Sequence, residues 1–102
     1  MVAFNNSLNS TGITTREAVY TVPATGVDSS TIIGITVCNI STTDTATFTV
    51  DVEGANIVTG LPLTPGNGYS PLDGKIILLP GESVYVTSDI PVHATVSVMQ
   101  YP

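Results

Sequence analysis

The sequence predicts an all-β fold, a single antiparallel β-sandwich of jelly-roll or immunoglobulin-like kind with an extended N-terminal arm, and three observations carry that reading. Apolar residues recur with a period of two in several short stretches, no window carries a capped helical stripe, and Gly, Pro, Asn and Asp punctuate the chain in between. Threonine, β-branched with a polar tip, runs through nearly every segment and suits the outward side of a strand. A length of 102 residues fits one domain with one modest core. The expected organisation is an arm over residues 1–15 followed by a sandwich over residues 16–102.

The opening MVAFNNSLNSTGITT is rich in Asn, Ser and Thr, with isolated Phe4, Leu8 and Ile13 and no sustained period of 2 or 3.6. It reads as an arm that orders on a neighbour or frays. REAVYTV, residues 16–22, alternates and stops at Pro23, which cannot donate to a ladder. After a turn through Gly26 and Asp28, STIIGITVC (residues 30–38) is almost continuously apolar, as a central strand is, with Gly34 as a bulge or close-approach point. TATFTVDVE sets Ala46, Phe48, Val50 and Val52 on one face against Thr45, Thr47, Thr49, Asp51 and Glu53 on the other. Gly54 ends that run. Residues 56–74 hold four Gly and three Pro and read as a short strand, Asn56 to Thr59, followed by a long irregular connection. In GKIILLPGESVYV the turn Pro80-Gly81-Glu82 reads as the tip of a hairpin between Lys75–Leu79 and Ser83–Val86. The last stretch turns Val92, Ala94, Val96 and Val98 inward and His93, Thr95, Ser97, Met99 and Tyr101 outward.

Charge narrows the function. Only 10% of residues are charged, against about 25% in an average soluble protein. With 42% apolar residues and a mean hydropathy of +0.37, the surface is sticky, as faces covered by copies or partners are. The net charge of -6 rests on eight acids against Arg16 and Lys75, which argues against phosphate and hence nucleic-acid binding. No basic amphipathic segment and no apolar run near the roughly 20 residues of a membrane span is present. No secretory leader pattern is visible, so the chain is expected to fold in a cytoplasm. Cys38 has no partner for an internal disulfide and reads as a small buried hydrophobe. Asn5-Asn6-Ser7, Asn9-Ser10-Thr11 and Asn39-Ile40-Ser41 match the glycosylation acceptor pattern, which without secretion reflects only the abundance of these residues.

Reactive chemistry is sparse. The single histidine, His93, falls on the outward side of the last strand, and no Ser-His-Asp spacing, nucleophile elbow, P-loop or dinucleotide fingerprint occurs. Gly66-Asn67-Gly68 lacks the lysine and helix a phosphate loop needs. One Cys and one His fall short of a structural zinc site. Asp51 and Glu53 share a strand face and could contribute to a calcium site, although a solvated face accounts for them equally. Tyr20, Tyr69, Tyr85 and Tyr101 are scattered, a weak signal for a sugar platform. The expectation is a non-enzyme without metal or cofactor.

One further likeness is carried by VYTVPATGVDSSTIIGITVCNIS, TFTVDV, IILLPGESVYVTSD and the closing TVSVMQY. In this order, over about residues 19 to 101, they resemble small virion structural proteins of tailed bacteriophages, including marine and cyanobacterial phages. The resemblance implies a β-sandwich particle component with no catalytic residues, and residues 56–74 match it least. It points first to a capsid decoration or cement protein on the outer surface of the head, bridging major capsid subunits after synthesis in the bacterial host cytoplasm. A neck, tail or fibre-base position in the virion is the alternative, and a glycan- or peptide-binding module lies outside that class. Low charge adds the expectation of a homo-oligomer, a trimer or another small assembly. Contacts with virion proteins are expected at Phe4, Leu8 and Ile13 of the arm and at Leu61, Leu63, Tyr69 and Leu72 of the long connection.

Overall fold

The computed structural model describes residues 3–72 and 74–102, with residues 9–11 as backbone alone. Among the described residues every regular element is a strand: β1 (Ala3–Ile13), β2 (Glu17–Thr21), β3 (Ser29–Asn39), β4 (Ala46–Val52), β5 (Ala55–Leu63), β6 (Gly68–Tyr69), β7 (Ile76–Leu78), β8 (Ser83–Ser88) and β9 (Val92–Tyr101). They form two antiparallel sheets. One has the order β1-β9-β3, with the short β6 and β7 sharing the far side of β3, and the other has the order β2-β8-β4-β5. The chain therefore passes repeatedly from one sheet to the other.

Alternation decides what lies between the sheets. Val92, Ala94, Val96 and Val98 of β9 and Ile32, Ile35 and Val37 of β3 meet Ala46, Phe48 and Val50 of β4 and Val84 and Val86 of β8, all buried. In β3 the phase shifts between Ile32 and Gly34, where the register with β9 slips by one residue. That bulge lets Ile32 and Ile35 both point inward and pushes Ile33 out. Polar groups at the core margin are bonded across it: the Tyr20 hydroxyl sits 2.7 Å from the Ser30 hydroxyl and accepts from the Gln100 amide at 2.9 Å. Asn39 is fully buried. Its amide donates to the carbonyls of Asp44 and Leu63, both at 2.8 Å, and its Oδ1 accepts from the Ser41 amide at 2.9 Å. One side chain thus ties the loop after β3 and the end of β5 to the end of β3.

Three local features differ from the sequence reading. Residues 3–13, read as an arm, form a strand laid antiparallel on β9, Ala3 opposite Gln100 and Asn9 opposite Ala94. Its pattern is inverted, with Phe4 and Leu8 on the outer face and Asn5 and Ser7 on the inner one, and Ser7 donates its hydroxyl to the Val19 carbonyl at the sandwich margin. The Pro80-Gly81 turn is real but joins no hairpin, because β7 pairs with β3 while β8 lies between β2 and β4 in the other sheet. Glu82 donates to the Leu79 carbonyl at 3.0 Å, and Gly81 at φ 86° supplies the left-handed position after proline. The turn then bonds to Val22, with Val22 donating to Glu82 and Gly81 to Val22, so it joins the end of β2. Finally, the strand expected at Asn56–Thr59 runs on as β5 to Leu63 through Gly60 and Pro62. It is an edge strand that slips register twice against β4, where Pro and Gly are tolerated.

Replacing Asn39 tests the loop tie. Asn39→Ala leaves two carbonyls and an amide without their partner and should cost about 1–3 kcal/mol for each buried group stranded, read as a lowered midpoint in urea unfolding. An unchanged midpoint would mean water replaces the side chain.

Candidate interaction surface

The outer face of the five-stranded sheet is built in rows, because residues in register across strands lie side by side. Ile77 of β7, Thr31 of β3, Met99 of β9 and Phe4 of β1 make one row. It is a mainly apolar ridge with exposed ends, Ile77 at 68% and Phe4 at 73%. Gly34, Ser97 and Asn6 make the next row. Small side chains there leave an open depression of about 400 Å³ lined by Phe4, Asn5, Asn6, Ile33 and Ser97. Across its floor Ser97 donates to the Asn6 Oδ1 at 2.7 Å. Thr36, Thr95 and Leu8 make the third row, with Leu8 70% exposed.

No residue of β1, β3, β6, β7 or β9 is Asp, Glu, Lys or Arg, so this whole sheet is free of formal charge. Among the described residues the charges sit on the other sheet, in Glu17 and Asp51, or in turns and connections. On that second sheet Arg16 grips Asp51 with two bonds, Nη2 to Oδ2 at 2.7 Å and Nε to Oδ1 at 3.3 Å, and its guanidinium lies 3.6 Å above the centre of the Tyr85 ring. Asp51 points outward by alternation yet is buried, because Arg16 and Tyr85 cover it. The Gly54 amide also donates to it at 3.0 Å. The bond from Arg16 holds its carboxyl below the usual range against the opposing effect of burial, and the Gly54 amide adds to the lowering.

The residues expected at a partner contact divide. Phe4 and Leu8 stand exposed on the uncharged face. Ile13 and Leu63 are core residues and present nothing to a partner, while Leu61 and Leu72 pack partly buried against the core. Tyr69 is exposed at 44% but tilts against Phe48 with ring centres 6.2 Å apart. Ile13 is drawn in because β1 irregularly shifts register between Asn9 and Ile13, and Leu63 because β5 extends to it. Ile40 and Leu79 are exposed in the connections that follow β3 and β7, while Ile33 and Ile77 join Phe4 and Leu8 as exposed apolar residues of the strands of this sheet and were missed. Their signal was present: adjacent Ile-Ile pairs at 32–33 and 76–77 cannot both face one core in an alternating strand.

Among the described residues no group of three or more His, Cys, Asp or Glu could hold a metal ion, and no helix is long and apolar enough to cross a membrane. The expected carboxylate pair is divided, Asp51 facing Arg16 while Glu53 accepts from the Ser83 amide at 3.3 Å. No protein-family model matches the chain, and no curated protein matches it.

Asp51 titrates lower folded than unfolded, so its contribution to stability is full above the unfolded carboxylate pKa of about 4 and is lost as pH falls through the lower folded value. Asp51→Asn should lower Tm at neutral pH and flatten the drop in Tm on acidification below about pH 4. Thermal melts across that window check it; curves of identical shape for both proteins would contradict it.

Proposed function

We propose that this chain is a structural protein of a tailed-bacteriophage virion, a decoration or cement protein that seats on major capsid subunits at the outer surface of the head through the uncharged face of its five-stranded sheet. The segregation of charge carries the reading. A chain with net charge -6 has kept every formal charge off one sheet and left Phe4, Leu8 and Ile77 exposed in rows there, with Ile33 exposed at the bulge. Three strands about 4.8 Å apart and about ten residues long, with the short β6 and β7 beside β3, offer on the order of 500 Å², somewhat less than the roughly 800 Å² that one side of a standard protein interface contributes. Such a face needs only fit, and repetition over a lattice multiplies weak contacts.

The strand order supports the same class. Sheets ordered β1-β9-β3-β6/β7 and β2-β8-β4-β5 support a reading of the sandwich as a two-sheet jelly roll, an architecture found in viral capsid and lectin domains. Fold likeness alone assigns no role. Against the lectin side, three of the four tyrosines are engaged: Tyr20 is buried, Tyr69 leans on Phe48 and Tyr85 lies beneath Arg16 on the other sheet, which leaves Phe4 and Tyr101 as the aromatics of the uncharged sheet. The acidic balance favours a basic patch on the capsid and separates the protein from packaged DNA.

The test uses purified particles. The chain should be present at a copy number close to that of the major capsid subunit, and Ile77→Asp should fold, keep its Tm within about a degree or two as an exposed substitution does, and be missing from the particle. A dozen copies or fewer would move the protein to the neck, tail or fibre base. Absence of the unmodified chain from mature particles would overturn the reading.

A further inference from the structure

A sandwich has strand edges, and an open edge is a template for another strand. Three of the four in this fold carry the usual guards. β2 is five residues long, starts with the charged Glu17 and is bulged between Ala18 and Tyr20. β5 is bulged and contains Gly60 and Pro62. The third edge is broken into β6, of two residues, and β7, of three. β1 differs: 11 residues with no charge and no proline, and in unbroken register with β9 from Ala3 to Asn9.

The direction of its open hydrogen bonds can be read. The Asn6 amide donates to the Oδ1 of the preceding Asn5 at 2.9 Å, so it is not spent on β9, and in a strand whose one ladder neighbour is β9 it falls to the open edge. Amides and carbonyls of alternate residues point the same way in a strand, so Phe4, Asn6 and Leu8 present theirs at the open edge. The same three residues put their side chains on the outer face.

We propose that β1 pairs antiparallel with β1 of a second copy, about a two-fold axis through Asn6, joining two five-stranded sheets into one. The edge restricts the register. Outward amides sit only on even-numbered residues here, so even residues must oppose even residues. With Asn6 opposite Asn6, Phe4 of each copy lies opposite Leu8 of the other, and every open amide from Phe4 to Leu8 is matched. Two apolar side chains exposed at 73% and 70% become cross-strand neighbours. The contact is self-complementary, as an isologous two-fold interface must be, and it closes as a dimer. The occupant is a second copy because the segment meets its own pattern in that register. Two molecules of charge -6 can approach there, since neither brings a charged residue to the seam. The depression along Gly34, Ser97 and Asn6 then continues across the axis into its copy.

The experiment needs only the purified chain, so it stands or falls apart from any role in a particle. Light scattering should give twice the 10.5 kDa chain mass at micromolar to millimolar concentrations. Asn6→Pro removes an outward amide that β9 does not use and should return the protein to monomer with Tm little changed, whereas Asn6→Ala should stay dimeric. Should the proline variant fail to fold, a charge exchange tests the register: Phe4→Lys and Leu8→Glu should each weaken the dimer on the order of tenfold, and mixing the two should restore a heterodimer with an ammonium opposite a carboxylate. Ile77→Asp, distant from the edge, should leave the mass unchanged. A monomer at every concentration, a dimer indifferent to Asn6→Pro, or a mixture that fails to recover association would each overturn the pairing.

Discussion

The five-stranded sheet depends on its last strand. β1 and β3 do not pair with each other; each pairs with β9, which lies between them over nearly its whole length. Until residues 92–101 are in place, the first strand has nowhere to go and the inner face of β3 lacks its neighbour. β9 also supplies Val92, Ala94, Val96 and Val98, a continuous buried line. The other sheet contains the tight hairpin, β4 and β5 joined through Glu53 and Gly54, both with positive φ as a two-residue turn requires. Most of the remaining pairings are distant in sequence, so the entropy of loop closure is met before contacts repay it, and folding of this chain belongs to the slow, topology-limited class.

Strands with a core on one side were readable from sequence. β4 and β9 alternate because one face is apolar by necessity, and the near-continuous apolar run of β3 follows from its central place between β9 and the β6/β7 side. Gly34 marked the bulge for a local reason: two residues, rather than the one that alternation allows, lie between the inward Ile32 and Ile35. What escaped the sequence was long-range. In β1, Asn5 and Ser7 face the thin margin of the sandwich and Phe4 and Leu8 face out, so the pattern that announces a strand is reversed. The proline-glycine turn fixed a reversal of direction but carried no information on which sheet would receive each arm. Asp51 looked like a solvated acid, since nothing in the spacing of Arg16 and Asp51 announces that β2 and β4 flank the same strand, β8.

The uncharged sheet and its unguarded edge have one origin in composition. Thr, Ser, Asn and Gly can line a sheet without ions, staying wettable while letting another surface come close without stripping water from a charge. A charged residue in the same rows would keep the protein apart from its copies and from any apolar partner, at the cost of several kcal/mol for each ion desolvated without a counter-ion. Placing the ions instead on the second sheet and in the turns preserves mutual repulsion everywhere except along one face and one seam. The charge distribution therefore selects orientation as well as solubility.

On this arrangement the two proposed contacts would not compete. The proposed edge pairing through β1 would use backbone amides in the plane of the sheet, while the proposed docking through the rows would use side chains perpendicular to it. A dimer joined at Asn6 would present both uncharged faces on the same side, since even residues of both copies carry their side chains outward together. Pairing then doubles the area of a single docking surface without altering any of its rows, and each copy's attachment raises the effective concentration of the other. A strand whose apolar residues point away from its own core, wasteful in an isolated sandwich, is what such a joined surface requires.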